Sequence, residues 1–360
     1  MKKTNSNLSQ AKKAKNDEFY TQYQDIQKEI AAYLEVNPDV FKGKTILLPC
    51  DDPEWSNFTK FFAQNFESFG LKKLISTSYA PDSKLFKTPY QPTLFESNDP
   101  KFDKKKTIKN GKIFILDFDK TGDGKIDVND LEWQYLEGDG DFRSEEVKAL
   151  RDESDVIITN PPFSLFREFI KWINEADKKF ITIGSKNSIT YKEVFPLIKD
   201  NKLWSGRTSW SGGMWFETRN VEDVDKVVNG LNLKNIPSIW LTNIDHKRRH
   251  EPIPLMTWED NLKFSKHEII KQKGYEKYEN YDAIEVPFTD AIPSNYKGVM
   301  GVPISFLDKY SPEQFEIVGM AEDNGMGFSG GIWDGLNPHC VVNGKNKFKR
   351  IFIKNKGVQI

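Results

Sequence analysis

Apolar positions along the chain follow two periods, short unbroken runs that suit strands and stripes at every third or fourth residue that suit helices. Residues 17–34 place Ile26, Ile30 and Leu34 on one helical face. Thr45 to Leu48 is a short apolar run, after which the chain breaks at Pro49-Cys50-Asp51-Asp52-Pro53. Over residues 56–69, Phe58, Phe61, Phe62, Phe66 and Phe69 recur at helical spacing, a stripe expected in a core rather than against a ligand. Residues 71–79 suit a second strand, so the chain opens as a βαβ unit.

Residues 80–111 are rich in Pro, Lys and Asp with little periodicity and predict an excursion from the core. Residues 112–118 suit a strand of that insertion and 131–136 its partner. The run 155–159 returns to the main sheet. An amphipathic helix over 163–176 follows, with Phe166, Phe169, Ile170 and Ile173 inward, then a buried strand at 180–183 and a helix at 191–199. Residues 204–217 suit a hairpin around Gly212-Gly213. The alternation predicts an α/β fold, a doubly wound sheet with an antiparallel edge hairpin. From about Asn220 the periodicity weakens and Pro, Gly, Asn and aromatics become frequent, which suits a mixed α/β region rich in loops. The division expected is a basic arm at 1–16, a main domain at 17–219 with an insertion at about 80–136, and a second region at 220–360.

A length of 360 residues is enough for one large or two ordinary domains. The first fifteen residues are polar and lysine-rich, so they suit neither a signal peptide nor a membrane anchor. Cys50 and Cys340 are the only cysteines, with no Cys-x-x-Cys pair, which fits a reducing cytoplasm better than a disulfide scaffold or a structural zinc site. The net charge of −1 conceals local clusters. Lys2, Lys3, Lys12, Lys13 and Lys15 form one, Lys247, Arg248 and Arg249 a second, and Lys345, Lys347, Lys349, Arg350, Lys354 and Lys356 a third. Each suits phosphate contact or an ordinary solvated face. His246 and His250 flank the second cluster without nearby acidic or cysteine ligands and are expected at the surface.

The richest chemistry is Asn160-Pro161-Pro162-Phe163, directly after the run 155–159. It places an amide, two prolines and an aromatic ring at a strand's carboxyl end, where open α/β sheets bind ligands. The amino nitrogen of adenine or cytosine is a poor nucleophile because its lone pair is delocalised into the ring. Two acceptors aimed at its hydrogens, the Asn160 side-chain oxygen and the Pro161 carbonyl, favour the tetrahedral geometry that attack on a methyl group requires. Phe163 suits stacking on a base extruded from a duplex. The same four letters also suit a simple turn.

Residues 119–130 scan as a twelve-residue calcium loop, with Asp119, Asp123, Asp127 and Asp130 at positions one, five, nine and twelve. Against it, position three is Thr121 and the preceding segment suits a strand. An Asp/Gly-rich turn between strands accounts for the same residues.

Taken in order, Asp17-Glu18-Phe19-Tyr20-Thr21, Asp51-Asp52-Pro53, Gly138-Asp139-Gly140-Asp141-Phe142-Arg143-Ser144 and Asn160 to Phe163 resemble the EcoRI-type adenine-specific DNA methyltransferases over most of the chain. The likeness extends to the run 314–319 and the basic stretch 344–351. It implies a class I, Rossmann-like methyltransferase sheet that binds S-adenosylmethionine and a target-recognition region placed last. It further implies that Tyr20 and Thr21 close over the methionine end of the cofactor, and that Pro49, Cys50 and Asp51 lie beneath it. Asp141 and Phe142 then meet the cofactor's adenine, by hydrogen bond and by packing, and Asn160 adjoins both ligands. Asp141-Phe142 also suits a helix start before Ser144-Glu145-Glu146. The glycine-rich turn common after the first strand is absent, as is an acid at the end of the second.

The resemblance implies a double-stranded DNA partner, with Lys247, Arg248, Arg249, Lys347 and Arg350 as candidate contacts, and a restriction endonuclease acting on the same site. RNA adenine and a protein glutamine amide are the alternative acceptors. A calcium-braced interaction module is the non-enzymatic alternative.

Overall fold

The computed structural model of the chain describes residues 19–51, 56–80, 100–218, 224–322 and 327–357. The expected arm 1–16, Asp17, Glu18, Asp52 and Pro53 lie outside them. The described residues group into two compact units, one drawn from Met1–Val194 with Ser211–Asp245 and one from Phe195–Trp210 with His246–Ile360. A single cut at residue 219 does not reproduce this division, because strands between 214 and 242 hydrogen-bond to the first unit.

In the first unit the elements are β1 (Tyr20–Thr21), α1 (Tyr23–Val36), β2 (Thr45–Leu48), α2 (Asn57–Gln64), β3 (Lys73–Ser78), α3 (Lys104–Lys109), β4 (Lys112–Leu116), β5 (Glu132–Tyr135), α4 (Glu145–Glu153), β6 (Val156–Thr159), α5 (Phe166–Glu175) and β7 (Lys179–Ser185). After an excursion to the second unit come β8 (Met214–Glu217), β9 (Lys226–Val228), β10 (Leu231–Ile236) and β11 (Ser238–Thr242). The main sheet runs β5-β4-β3-β2-β6-β7-β11. Its centre is parallel, with β2 between β3 and β6 and β6 beside β7, and its flanks are antiparallel. Every residue of β2 and β6 is buried, which is why both appear in the sequence as unbroken apolar runs.

The aromatic stripe lies in the core as its spacing predicts. Phe58, Phe61, Phe62 and Phe66 are buried, and Phe61 meets Phe62 edge-on with centroids 5.3 Å apart. Each buried ring stabilises the unit by about 2–3 kcal/mol through its apolar area. Ser56 starts α2 by accepting the Phe58 amide at 3.1 Å. Three local expectations give way to long-range pairing. The N-terminal helix begins at Tyr23, because Tyr20 and Thr21 pair with Glu217 and Phe216 of β8. The strands of the expected insertion extend the main sheet instead, β4 lying antiparallel to β3 and β5 to β4, so the antiparallel edge hairpin is this pair. The expected hairpin at 204–217 does not form as such, since β8 pairs with β1 and β10. Its glycines still turn the chain at positive φ, and a Cβ on Gly213 would sit 2.9 Å from the Ile236 carbonyl of β10.

The second unit contains α6 (Trp258–Phe264), α7 (Glu268–Lys273), β12 (Ile284–Glu285), β13 (Met300–Pro303), β14 (Phe315–Met320), β15 (Val341–Val342), β16 (Lys345–Asn346) and β17 (Arg350–Asn355). One sheet runs β12-β13-β17-β14, and β15 and β16 form a separate hairpin. Among the described residues no helix is long and apolar enough to cross a membrane.

Candidate active site

The parallel strands β2, β3 and β6 end at one edge of the sheet of the first unit, so Pro49 to Asp51, Tyr79 and Asn160 to Phe163 share that edge. Asp51 binds the strand ends together. Its Oδ1 accepts from Ser56 Oγ at 2.8 Å and its Oδ2 from Thr159 Oγ1 at 2.5 Å, while its carbonyl accepts from Ser76 Oγ at 2.6 Å. Thr77 Oγ1 likewise donates to the Pro49 carbonyl at 3.0 Å. Thr159 directly precedes Asn160, so this buried network sets where the amide begins.

Asn160 is oriented by Phe19, the residue before β1. Its Nδ2 donates to the Phe19 carbonyl at 2.8 Å, which leaves Oδ1 as the end facing away. That oxygen is buried and has no hydrogen-bond partner among the described residues. A buried acceptor without a donor costs about 1–3 kcal/mol, so the folded chain holds in place a group that a donor from a ligand would satisfy. Thr21 Oγ1, two residues beyond Phe19, is a second such oxygen. Asn57 Nδ2 anchors this part of β1 by donating to the Thr21 carbonyl at 2.8 Å. Tyr20 is half-buried beside Thr21.

Pro161 is buried, and the Pro162 carbonyl accepts the Leu165 amide at 3.0 Å, closing the turn into α5. Phe163 is half-buried, with its ring 6.5 Å from Phe19 and 6.4 Å from Phe216.

Gly138 to Phe142 passes close against the end of β3. The Ala80 amide donates to the Asp139 carbonyl at 2.7 Å, and Gly140 has φ +83° with the Ser78 carbonyl oxygen 2.2 Å from where a Cβ would stand. Glycine is required there for passage past another strand. This brings Asp139 and Asp141 to Tyr79. Burial, then the negative charges of Asp139 and Asp141, push the Tyr79 hydroxyl up to about 12. Partial burial opposes ionisation of Asp141, but hydrogen bonds from Arg143 overcome it and hold the carboxyl below the ordinary carboxylate range. Arg143 donates to both Asp141 oxygens, at 2.9 and 2.6 Å, and to Glu168 at 2.6 Å. Burial also pushes the Cys50 thiol well up, with Asp51 adding to the shift, a hydrogen bond to Thr159 opposing it, and Asp141 adding again.

Phe142, expected to pack on a ligand, is 4 % exposed and meets Phe169 and Trp172 edge-on at 5.3 and 5.6 Å. Its ring belongs to the interior. Ser144 caps α4 by accepting the Val147 amide at 3.3 Å, so this segment is a helix start whatever else it does.

The aspartates of the loop 119–130 turn onto their own backbone. Asp119 accepts from the Gly122 and Gly124 amides, Asp123 from Lys125, Asp127 from Asn129, and Asp130 from Lys120, Thr121 and Asp127. This is the turn chemistry of the Asp/Gly-rich alternative. Among the described residues no three His, Cys, Asp or Glu side chains are grouped to hold a metal.

In the second unit the basic clusters divide. Lys247 is exposed and Lys347 half-exposed. Arg248 is engaged by Asp308 and the Arg207 carbonyl, each at 2.8 Å, and Arg249 lies 3.7 Å over the Trp204 ring. Arg350 is 8 % exposed and pairs with both oxygens of Glu285. The basic run therefore includes an interior ion pair that charge counting could not separate from a surface one. His246, expected at the surface, is 1 % exposed, with a ring nitrogen 2.9 Å from the Ser205 carbonyl.

Sequence reasoning missed Phe19, which acts through its carbonyl, and Ser56, Thr159, Tyr79 and Arg143. Hydroxyls at three strand or helix ends and an arginine two residues after Asp141 were the available signals.

The model of the family described as adenine-specific methyltransferase EcoRI matches residues 7–356. The type II methyltransferase M.EcoRI of Escherichia coli is 40 % identical over 367 residues, covering 99 % of this chain and 98 % of that protein. M.MpnI of Mycoplasma pneumoniae is 35 % identical over 318 residues, covering 86 % and 84 %, and M.MgeORF184P of Mycoplasma genitalium is 31 % identical over 363, covering 98 % and 99 %. No solved structure matches.

Proposed function

Because this chain belongs to the EcoRI family of adenine-specific methyltransferases, we propose that Asn160 Oδ1 is the acceptor that grips the target amino group. The chain is a DNA adenine methyltransferase of a restriction-modification system. The single observation that carries the mechanism is that buried oxygen, turned away from the Phe19 carbonyl and left without a donor among the described residues. One N6 hydrogen of adenine bonds to it and the second to the Pro161 carbonyl, while Phe163 stacks on the extruded base. Held by both hydrogens, the amino nitrogen presents its lone pair to the methyl group that a bound donor would supply, and N6 gives up one proton to solvent.

The methyl donor is S-adenosylmethionine, whose sulfonium supplies an electrophilic methyl group when bound. The residues present fit it. Thr21 Oγ1 is a buried acceptor without a partner among the described residues, and Asp51, Asp139 and Asp141 give the edge an acidic character suited to a cationic ligand. Tyr20 and Thr21, with Pro49, Cys50 and Asp51, would hold the methionine end, and Tyr79 with Asp141 would hold the adenosine end. Phe142 supports Asp141 from the interior. The main sheet is read as the Rossmann-like, class I methyltransferase sheet, the second unit as the target-recognition region, and the setting as cytoplasmic. Lys247 and Lys347 contact DNA phosphates, with Arg248 and Arg350 acting through the backbone they brace and Arg249 through its contacts with Asn201 and the Trp204 ring. A nuclease of the same site specificity is the expected partner.

The test is Asn160→Ala, with labelled methyl transfer to duplex DNA and cofactor affinity measured together. Transfer falls by about 10²–10³-fold, the scale of removing one transition-state hydrogen bond, while cofactor affinity holds. Turnover close to wild type overturns the assignment. Mapping modified adenines in cells that express the chain identifies base and site together.

A further inference from the structure

Leu336 and Phe348 are 82 % and 90 % exposed, the most exposed of the large apolar side chains among the described residues. They stand on neighbouring loops of the second unit, linked by a hydrogen bond from Asn337 Nδ2 to Asn346 Oδ1 at 3.3 Å. Both loops are rigidly built. Trp333 Nε1 donates to the Asn337 carbonyl at 2.8 Å, Tyr281 to the Pro338 carbonyl at 2.7 Å, and Asn280 Nδ2 to the carbonyls of Asn337 and His339 at 2.5 and 2.6 Å. The β15–β16 hairpin turns at Asn343 and Gly344, both at positive φ as an Asn-Gly turn requires, and the Gly344 amide is held by Glu279 at 2.7 Å. Arg350, fixed by Glu285, donates from Nη1 to the Phe348 carbonyl at 3.0 Å. A buried ion pair therefore holds the backbone of an exposed aromatic residue.

Isolated surface hydrophobes need no explanation, but two on adjacent stiffened loops do. Lys345, Lys347 and Lys349 flank Phe348 in sequence with no acid among them. The nearby carboxylates each accept a hydrogen bond from these loops, Asp334 from the Leu336 amide, Glu279 from the Gly344 amide and Glu276 from the Asn343 side chain. An apolar tip with a cationic rim matches a stacked-base ligand bearing phosphates.

We propose that Leu336 and Phe348 form a rigid apolar prong that presses between or against base pairs of duplex DNA, with the lysines on flanking phosphates. This rests on the chain being a DNA methyltransferase, and it assigns to the second unit a wedge that favours unstacking at the site. Because both side chains are exposed, Leu336→Ala, Phe348→Ala and the double variant should melt as wild type does.

The experiment uses the full chain and a duplex fragment that wild type methylates, with 2-aminopurine in place of the target adenine. The double variant should lose about tenfold or more in duplex affinity and most of the 2-aminopurine fluorescence rise, while keeping cofactor affinity and the salt dependence of binding. Replacing Lys345, Lys347 and Lys349 by Gln should instead flatten the salt dependence. Wild-type affinity and fluorescence in the double variant overturn the prong. So does a changed oligomeric state at unchanged DNA affinity, which makes the tip a self-association surface. Wild-type protein that methylates no duplex DNA overturns the underlying reading, a result visible before any variant is made.

Discussion

Substitution of Gly140 by alanine separates two explanations for a glycine beside a candidate cofactor site: close approach to a ligand, or close approach to the chain itself. At φ +83° an alanine carries the left-handed penalty of about 1–2 kcal/mol. Its Cβ would also lie 2.2 Å from the Ser78 carbonyl oxygen, and ordinary contact begins at 3.4 Å, so one backbone segment must move by more than an ångström. That movement breaks the bond from the Ala80 amide to the Asp139 carbonyl, another ~1 kcal/mol, and carries Asp139 and Asp141 away from Tyr79. Gly124 provides the control, since its φ is +84° and nothing lies within 4 Å of its Cβ position. Gly124→Ala should therefore lose only the backbone penalty. Gly140→Ala should lose about 2–3 kcal/mol and a large part of its S-adenosylmethionine affinity, read by thermal unfolding and calorimetry. Equal destabilisation of the two variants refutes the crossing argument, and so does unchanged stability with lost cofactor affinity.

Three further outcomes follow from the same geometry. Arg350→Met leaves Glu285 buried without its cation and should destabilise the second unit by about 3–5 kcal/mol in denaturant unfolding while cofactor affinity holds; exposed-site behaviour, a change below ~0.5 kcal/mol, contradicts the interior assignment. The Asp141 carboxyl sits below its ordinary value when folded, so its pairing with Arg143 contributes above the ordinary carboxylate range and is lost as pH falls through the folded value. The melting difference between wild type and Asp141→Asn should accordingly shrink as pH is lowered from about 5 toward 3, and a difference that grows is the contrary result. Cys50 is half-buried, and desolvation with the charge of Asp51 holds its thiol protonated, so at pH ~8 it should alkylate more slowly than the same residue in denaturant, and equal rates count against the upward shift.

Much of the site was legible locally. An unbroken apolar run followed by Asn-Pro-Pro-Phe suffices to place an amide at a strand end, and the aromatic stripe at 58–69 announces its own burial. Ser56 and Ser144 cap their helices as their positions suggest. Other features depended on partners remote in sequence. Tyr20 and Thr21 continue a helical pattern and become a strand only because Phe216 and Glu217 lie alongside. The strands at 112–116 and 132–135 look like an excursion until β3 is seen to pair with the first of them.

Residue chemistry and short-range periodicity settled the buried strands at 45–48 and 156–159, the helices that follow Ser56 and Ser144, and the amide at a strand end at position 160, because each depends on neighbours within a few residues. Which end of the Asn160 amide is spent on the Phe19 carbonyl, which glycine lets the chain cross Ser78, and which arginines are spent on Glu285 or Asp308 were decided by the tertiary structure. Those outcomes rest on contacts between segments 60 to 141 residues apart, and hydrogen-bond direction and desolvation exist only once such segments have met.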